Sequence, residues 1–90
     1  MVQDVRNRSL TPAFCRGARG LLDWSQADLA ERAQVSRSTI KDFEVGAHEL
    51  HRATEAQVLR AFEEAGVSII QVEGLGTALL SRDQPPNAVD

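Results

Sequence analysis

The chain has 90 residues, 42% apolar and 26% charged, which is enough for one modest core and so predicts a single domain. No run approaches the roughly 18 apolar residues of a membrane span, and residues 1–10 carry Asp4, Arg6 and Arg8 where a signal peptide would be apolar. We therefore expect a cytoplasmic protein without a membrane partner. The single cysteine, Cys15, cannot form an internal disulfide and is expected in the core.

The formal net charge of −3 is unusual for a chain that binds nucleic acid, but the charges are unevenly distributed. Residues 1–52 hold eight Lys and Arg against seven Asp and Glu, whereas residues 53–90 hold two against six. The first half is therefore the expected side for phosphate, and the second half is the expected place for protein contacts.

Two helices are predicted in the first third of the chain. Thr11 suits an N-cap and Pro12 suits the first helical position, where no N–H is needed. Ser25 opens a second, short helix, with Asp28 three residues later in a capping-box arrangement.

Two more helices follow. Ser36 is the expected N-cap of the third, which Gly46 ends. Thr54 and Gln57 have capping-box spacing at the start of the fourth, which ends at Gly66.

Residues 67–80 differ in composition from the helices that precede them. Ile69, Ile70 and Val72 are β-branched, and a glycine-containing turn separates them from residues 77–80, which predicts a β-hairpin. The alternative is a short fifth helix over residues 77–82, because alanine and leucine are good helix formers. Residues 1–10 are expected to be a flexible tail, and residues 81–90, with two adjacent prolines, a disordered one.

Residues 26–44 contain the most informative pattern, two short helices joined by a turn. Ala30 provides a small residue where they would cross, and Leu29, Val35, Ile40 and Phe43 provide an apolar inner side. The run ARGLLDWSQADLAERAQVSRSTIKDFEVG, residues 18–46, resembles the phage-repressor-like (Cro, XRE) helix-turn-helix family. The resemblance implies a mainly α fold: a four-helix, lambda-repressor-like DNA-binding domain over residues 11–66 with a C-terminal β-hairpin.

One position departs from the family pattern. Gln34 stands where the family usually has glycine in the turn. Glycine suits that position because the backbone there is left-handed, and another residue costs about 1 kcal/mol.

The resemblance also implies that the helix over residues 36–45 lies in the major groove of double-stranded DNA. With Ile40 inward, helical geometry puts Arg37, Ser38 and Lys41 outward, where they can read bases. The expected contacts with the DNA backbone are Gln26, Ser36, Thr39, Arg16 and Arg52. Arg19 could also contact phosphate, but in the family a glutamate at the position of Glu44 commonly pairs with an arginine of the first helix, which favours an Arg19–Glu44 salt bridge.

The expected function is a sequence-specific transcriptional regulator, a repressor or autoregulator, that binds a two-fold operator as a homodimer. The dimer contact is expected in the hairpin, through Ile69, Ile70, Val72 and Leu79. The alternative is a protein-binding module of antitoxin or antiactivator type, which the acidic second half favours.

An enzyme, a cofactor or a metal site is not expected. His48, Glu49 and His51 lie close together, but no further Cys or His completes a zinc site. Ser36, Ser38 and Asp42 are near in sequence, yet a nucleophile also needs a base and a pocket, for which so small a chain has little room.

Overall fold

Four helices are followed by a two-stranded antiparallel hairpin in the computed structural model, which describes residues 10–82. The helices are α1 (Pro12–Leu22), α2 (Gln26–Ala33), α3 (Arg37–Glu44) and α4 (Arg52–Glu64), and the strands are β1 (Val67–Val72) and β2 (Gly76–Ser81). The expected mainly α fold with a C-terminal hairpin is confirmed. The alternative fifth helix is wrong, because residues 76–81 pair with β1 instead.

The two expected tails lie mostly outside the described residues. The structure describes the inner end of each. Leu10 is buried in the core, and Ser81 is the last residue of β2. Arg82 continues the pairing, since its backbone N–H donates to the carbonyl of Gly66 at 2.7 Å.

Short side chains begin the first three helices, as the sequence predicts. Thr11 Oγ1 accepts from the N–H of Phe14 at 3.1 Å. Ser25 and Asp28 form the reciprocal capping box, with both hydrogen bonds at 2.9 Å. These contacts satisfy N–H groups that have no partner within the helix and therefore fix where each helix starts.

The expected capping box at the start of α4 is wrong. The N-cap is His51, whose backbone is extended (φ −68°, ψ 155°) and which makes no side-chain capping bond, so Thr54 lies inside the helix and cannot cap it. Gln57 Nε2 instead donates to the carbonyl of Ala33 at 3.1 Å. It thereby satisfies an end carbonyl of α2, a tertiary contact that replaces the local one.

The core lies where the helices and β1 converge. Phe62, Leu29, Ile40, Val58, Val67 and Cys15 are its largest fully buried side chains. The hairpin packs against α1 at Gly17, where an added Cβ would lie 3.0 Å from Leu79 Cδ1. This close approach holds the hairpin against the helical domain.

The strand register divides the hairpin into two faces. Val67, Ile69 and Leu79 lie on the face that packs against the helices, since Ile69 pairs with Leu79. Ile69 is only 6% exposed. Ile69 was therefore wrongly expected at a dimer interface, because it is buried in the monomer's own core. Leu79 is partly buried against that core. Ile70 and Val72 lie on the opposite face.

Within residues 10–82, none of the helices is long and apolar enough to cross a membrane.

Candidate nucleic-acid interface

The turn between α2 and α3 sets the direction of α3. Gln34 has φ +62° and ψ 45°, which confirms that this turn position is left-handed. The N–H of Gln34 donates to the carbonyl of Glu31 at 3.2 Å, and the N–H of Val35 donates to that of Ala30 at 3.0 Å. The chain thus reverses within a few residues, and Ala30, 5% exposed, lets the two helices approach closely.

One side of α3 is buried and the other is exposed. Ile40 and Phe43 are buried in the core, whereas Arg37, Ser38 and Lys41 are exposed. At 3.6 residues per turn the three exposed residues lie within an arc of about 100°. This arc therefore presents a guanidinium, a hydroxyl and an ammonium group together, the donors that suit guanine and other base edges in the major groove.

Three hydroxyl groups cluster at the start of α3. Ser36 Oγ caps the helix by accepting from the N–H of Thr39 at 3.1 Å. It also lies 2.8 Å from Thr39 Oγ1 and 3.3 Å from Ser38 Oγ. Ser36 and Ser38 are exposed, and the cluster lies at the positive end of the helix dipole, where a phosphate oxygen would be stabilised.

Glu44, the last residue of α3, joins three helices. Its carboxylate accepts from Arg19 Nε at 2.9 Å and Arg19 Nη2 at 2.7 Å, so the pair is bidentate. Gln26 Nε2 donates to the same carboxylate at 3.0 Å. Because Arg19 is in α1 and Gln26 begins α2, this network fixes the C-terminal end of α3 to both helices.

The charge of Glu44 is held inside the protein. The residue is only 4% exposed, and burial by itself would raise the pKa of its carboxyl group. Hydrogen bonds from the side chains of Arg19, Cys15 and Gln26 outweigh burial, so the pKa of Glu44 is below its usual value. The carboxylate therefore remains ionised at neutral pH.

Of the residues expected at the DNA backbone, Arg16 and Gln26 bond to Glu44. Arg16 is exposed, but its Nη1 donates to the backbone carbonyl of Glu44 at 2.7 Å. Gln26 bonds to Glu44, as described above. Thr39 is partly buried beside Ser36, and Arg52 is exposed at the start of α4, outside the two-helix motif. The bonds of Arg16 and Gln26 to Glu44 also hold α3 in place.

Sequence reasoning missed the role of Gln26 and Arg16 as ties to Glu44. Their partners are 18 and 28 residues away, and no local pattern reports contacts at that separation.

Trp24, the residue before the N-cap of α2, packs against α4. Its ring stacks on Phe62 of α4 with centroids 6.0 Å apart, and the guanidinium of Arg32 lies 4.7 Å from the ring. The ring therefore already has an aromatic and a cationic partner within the protein.

Within residues 10–82, His48, Glu49 and His51 do not form a group that could hold a metal ion, nor do any other three His, Cys, Asp or Glu residues.

Comparison with known proteins agrees with the geometry of α2 and α3. A family model described as helix-turn-helix matches residues 16–65, more than half of the chain. A search of curated proteins found no match. The matched segment contains most of α1, the two-helix motif and α4. The chain therefore belongs to the phage-repressor-like (Cro, XRE) helix-turn-helix family, whose domains are DNA-binding and regulatory rather than catalytic.

Proposed function

We propose that this protein is a sequence-specific transcriptional regulator, a repressor or autoregulator, that binds a two-fold operator as a homodimer with residues 36–45 in the major groove. The observation that carries the proposal is the shared exposure of Arg37, Ser38 and Lys41 on one side of α3. The other side of the same helix is buried and fixed through Glu44, so these three side chains project from a rigid support.

Each of the three side chains has a distinct role in this proposal. Arg37, in the first turn of α3, donates two hydrogen bonds to O6 and N7 of a guanine. Lys41, one turn further along, donates to a second guanine or to a phosphate. Ser38 pairs with more than one base edge and so contributes less to discrimination.

The DNA backbone is held by groups beside the recognition helix. Gln26 begins α2, where the first N–H groups and the positive end of the helix dipole suit a phosphate oxygen. Ser36 and Thr39 offer hydroxyl groups at the start of α3. Arg16 and Arg52 add cationic contacts on either side, and Arg16 does so with the guanidinium N–H groups that its bond to Glu44 leaves over.

A homodimer is proposed because one α3 helix of eight residues reads only a few base pairs. Two copies on half-sites about 34 Å apart would double the recognised sequence and the buried surface. The net charge of −3 weakens the non-specific attraction of the protein to phosphate, so the additional contacts of a second copy become more important. In this division residues 11–66 bind DNA and residues 67–80 mediate dimerisation.

Selection of binding sites from a random pool of duplex DNA tests the proposal. We expect enrichment of one sequence with two-fold symmetry, bound less tightly as the salt concentration rises. If no sequence is enriched and the protein instead forms a stable complex with another protein, the antitoxin or antiactivator function would replace this one.

A further inference from the structure

We propose that the outer face of the hairpin, defined here as Ser68, Ile70, Val72, Ala78 and Leu80, is the surface on which a second copy of this chain packs. The two hairpins run antiparallel, so that Glu73 of one copy lies near Arg82 of the other. This inference rests on the proposed homodimer and adds to it the contact surface and the direction of packing.

The outer face is mostly apolar, and the described part of the chain leaves it partly exposed. The register pairs Ser68 with Leu80 and Ile70 with Ala78, and Val72 lies on the same face. The opposite face packs against α1 and α4. Ile70, Val72 and Ala78 are therefore only partly buried, and Leu80 is 50% exposed. An exposed apolar patch of this kind on a small domain marks an interaction surface.

The rest of the chain is poorly suited to cover this face. Residues 83–90 follow Arg82 at the base of the hairpin, but they contain two aspartates and two adjacent prolines, with Ala88 and Val89 as their only other apolar residues. Residues 1–9 lead into Leu10, which lies with Phe43 and Leu50 at the junction of α1 with the α3–α4 loop. A second copy, in contrast, brings an equal apolar face.

The charges at the two ends of the hairpin favour antiparallel packing. Glu73 follows β1 at the tip, and Arg82 follows β2 at the base. Both side chains are exposed. A two-fold axis that runs across the strands brings the tip of each hairpin to the base of the other, so that each glutamate meets an arginine. Parallel packing would instead bring the two glutamates together, which is unfavourable. One Nη of Arg82 lies 3.3 Å from the carbonyl of Glu63, but a guanidinium has five N–H donors.

Sedimentation equilibrium of the full chain, without DNA, tests this surface. We expect the wild type to dimerise, and Leu80→Glu to raise the dimer dissociation constant by at least about tenfold, because two buried leucines are replaced by charges. Leu21→Glu is the matched control, since Leu21 on α1 is 53% exposed and lies away from the outer face. It should leave the dissociation constant unchanged, and circular dichroism should show both variants folded.

A charge exchange tests the packing direction through exposed residues that do not support the core. Glu73→Arg alone and Arg82→Glu alone should each weaken the dimer by about tenfold, since symmetry places two such pairs in the interface. The double variant should restore the wild-type dissociation constant to within about twofold. A double variant weaker than either single one would overturn the antiparallel arrangement.

Three outcomes would overturn the surface itself. The first is a wild type that is monomeric at about 100 μM, since a homodimer of micromolar affinity would form at that concentration. The others are a Leu80→Glu variant that dimerises normally and a dimer that appears only after residues 83–90 are removed. The proposed function is tested separately by DNA selection. Dimers that select no DNA would contradict the DNA binding and leave the surface standing. Selection of DNA by a wild type that remains monomeric would contradict the surface and the homodimer and leave the DNA binding standing.

Discussion

The guanidinium of Arg19 meets the carboxylate of Glu44 through two hydrogen bonds of 2.7 and 2.9 Å. The pair connects the last turn of α1 with the last residue of α3, and the carboxylate is almost completely buried. Because Gln26 bonds to the same carboxylate, the end of α3 is fixed by α1 and α2 together. The direction in which Arg37, Ser38 and Lys41 project thus depends on contacts at the C-terminal end of α3.

Removal of the carboxylate should destabilise the fold. Glu44→Gln leaves Arg19 partly buried without its counter-ion, and we expect a loss of about 3 kcal/mol in the free energy of unfolding. This is the lower end of the range for a broken buried pair, since Arg19 keeps some access to water. Urea denaturation measures it. The control Glu49→Gln, an exposed position, should change stability by less than about 0.5 kcal/mol. Equal effects of the two variants would contradict a structural role for Glu44.

The same group should make stability depend on pH. The pKa of Glu44 is lowered in the folded protein, so the folded state binds fewer protons than the unfolded state near that pH. The stabilisation that ionised Glu44 provides is therefore complete above its pKa in the unfolded state, about 4.3. It is lost as the pH falls through the lower pKa that Glu44 has in the folded state. We expect the free energy of unfolding to decline below about pH 5, with a shallower decline in Glu44→Gln. The remaining slope includes Asp28, whose pKa is lowered by hydrogen bonds from Ser25. Identical slopes in wild type and variant would exclude Glu44 as the source.

The left-handed residue in the helix-turn-helix should be a site of stabilisation. Gln34 has φ +62°, and glycine adopts this conformation without steric cost, so Gln34→Gly should raise the free energy of unfolding by about 1 kcal/mol. Glu31→Gly, at an exposed position in α2, is the control and should lower it by a similar amount, because glycine weakens a helix interior. Thermal denaturation of both variants shows whether each is more or less stable than the wild type. Destabilisation by Gln34→Gly would show that the left-handed backbone at Gln34 is not strained.

Two glycines of α1 should respond differently to alanine. Gly20 has no atom within 4 Å of an added Cβ, so Gly20→Ala should stabilise the protein by about 1 kcal/mol through helix propensity. At Gly17 the Cβ would lie 3.0 Å from Leu79 Cδ1, so part or all of that gain should be lost as the hairpin shifts. Urea denaturation of the two variants compares them. An equal gain at both positions would show that the hairpin does not pack closely on α1.

Local patterns were sufficient to predict most of the fold. Thr11, Ser25 and Ser36 each cap a helix within three residues of their own position, so a short window of sequence contains both partners. The left-handed conformation of Gln34 was expected from the family resemblance, since glycine usually stands at this position in the family.

Contacts between distant segments could not be predicted. Gln57 bonds to a carbonyl 24 residues away, and this contact, not the capping spacing, determines its role. In β1 the neighbours Ile69 and Ile70 are both apolar, so alternation alone does not say which one faces the core. Packing against α1 and α4 decides it, and the expectation of Ile69 at a dimer interface was wrong for that reason.

The effect of Arg37→Ala on DNA binding tests the central claim most directly. Equilibrium binding of the wild type and the variant to a selected operator should show a loss of about tenfold or more, with relaxed preference at one base pair in each half-site. Arg60→Ala is the control, because it removes an arginine that is also exposed but lies on α4. Apart from the loss of affinity that follows from removing any positive charge, it should change affinity for the operator by less than about twofold. An Arg37→Ala protein that keeps wild-type affinity and wild-type sequence preference would contradict the assignment of α3 as the recognition helix.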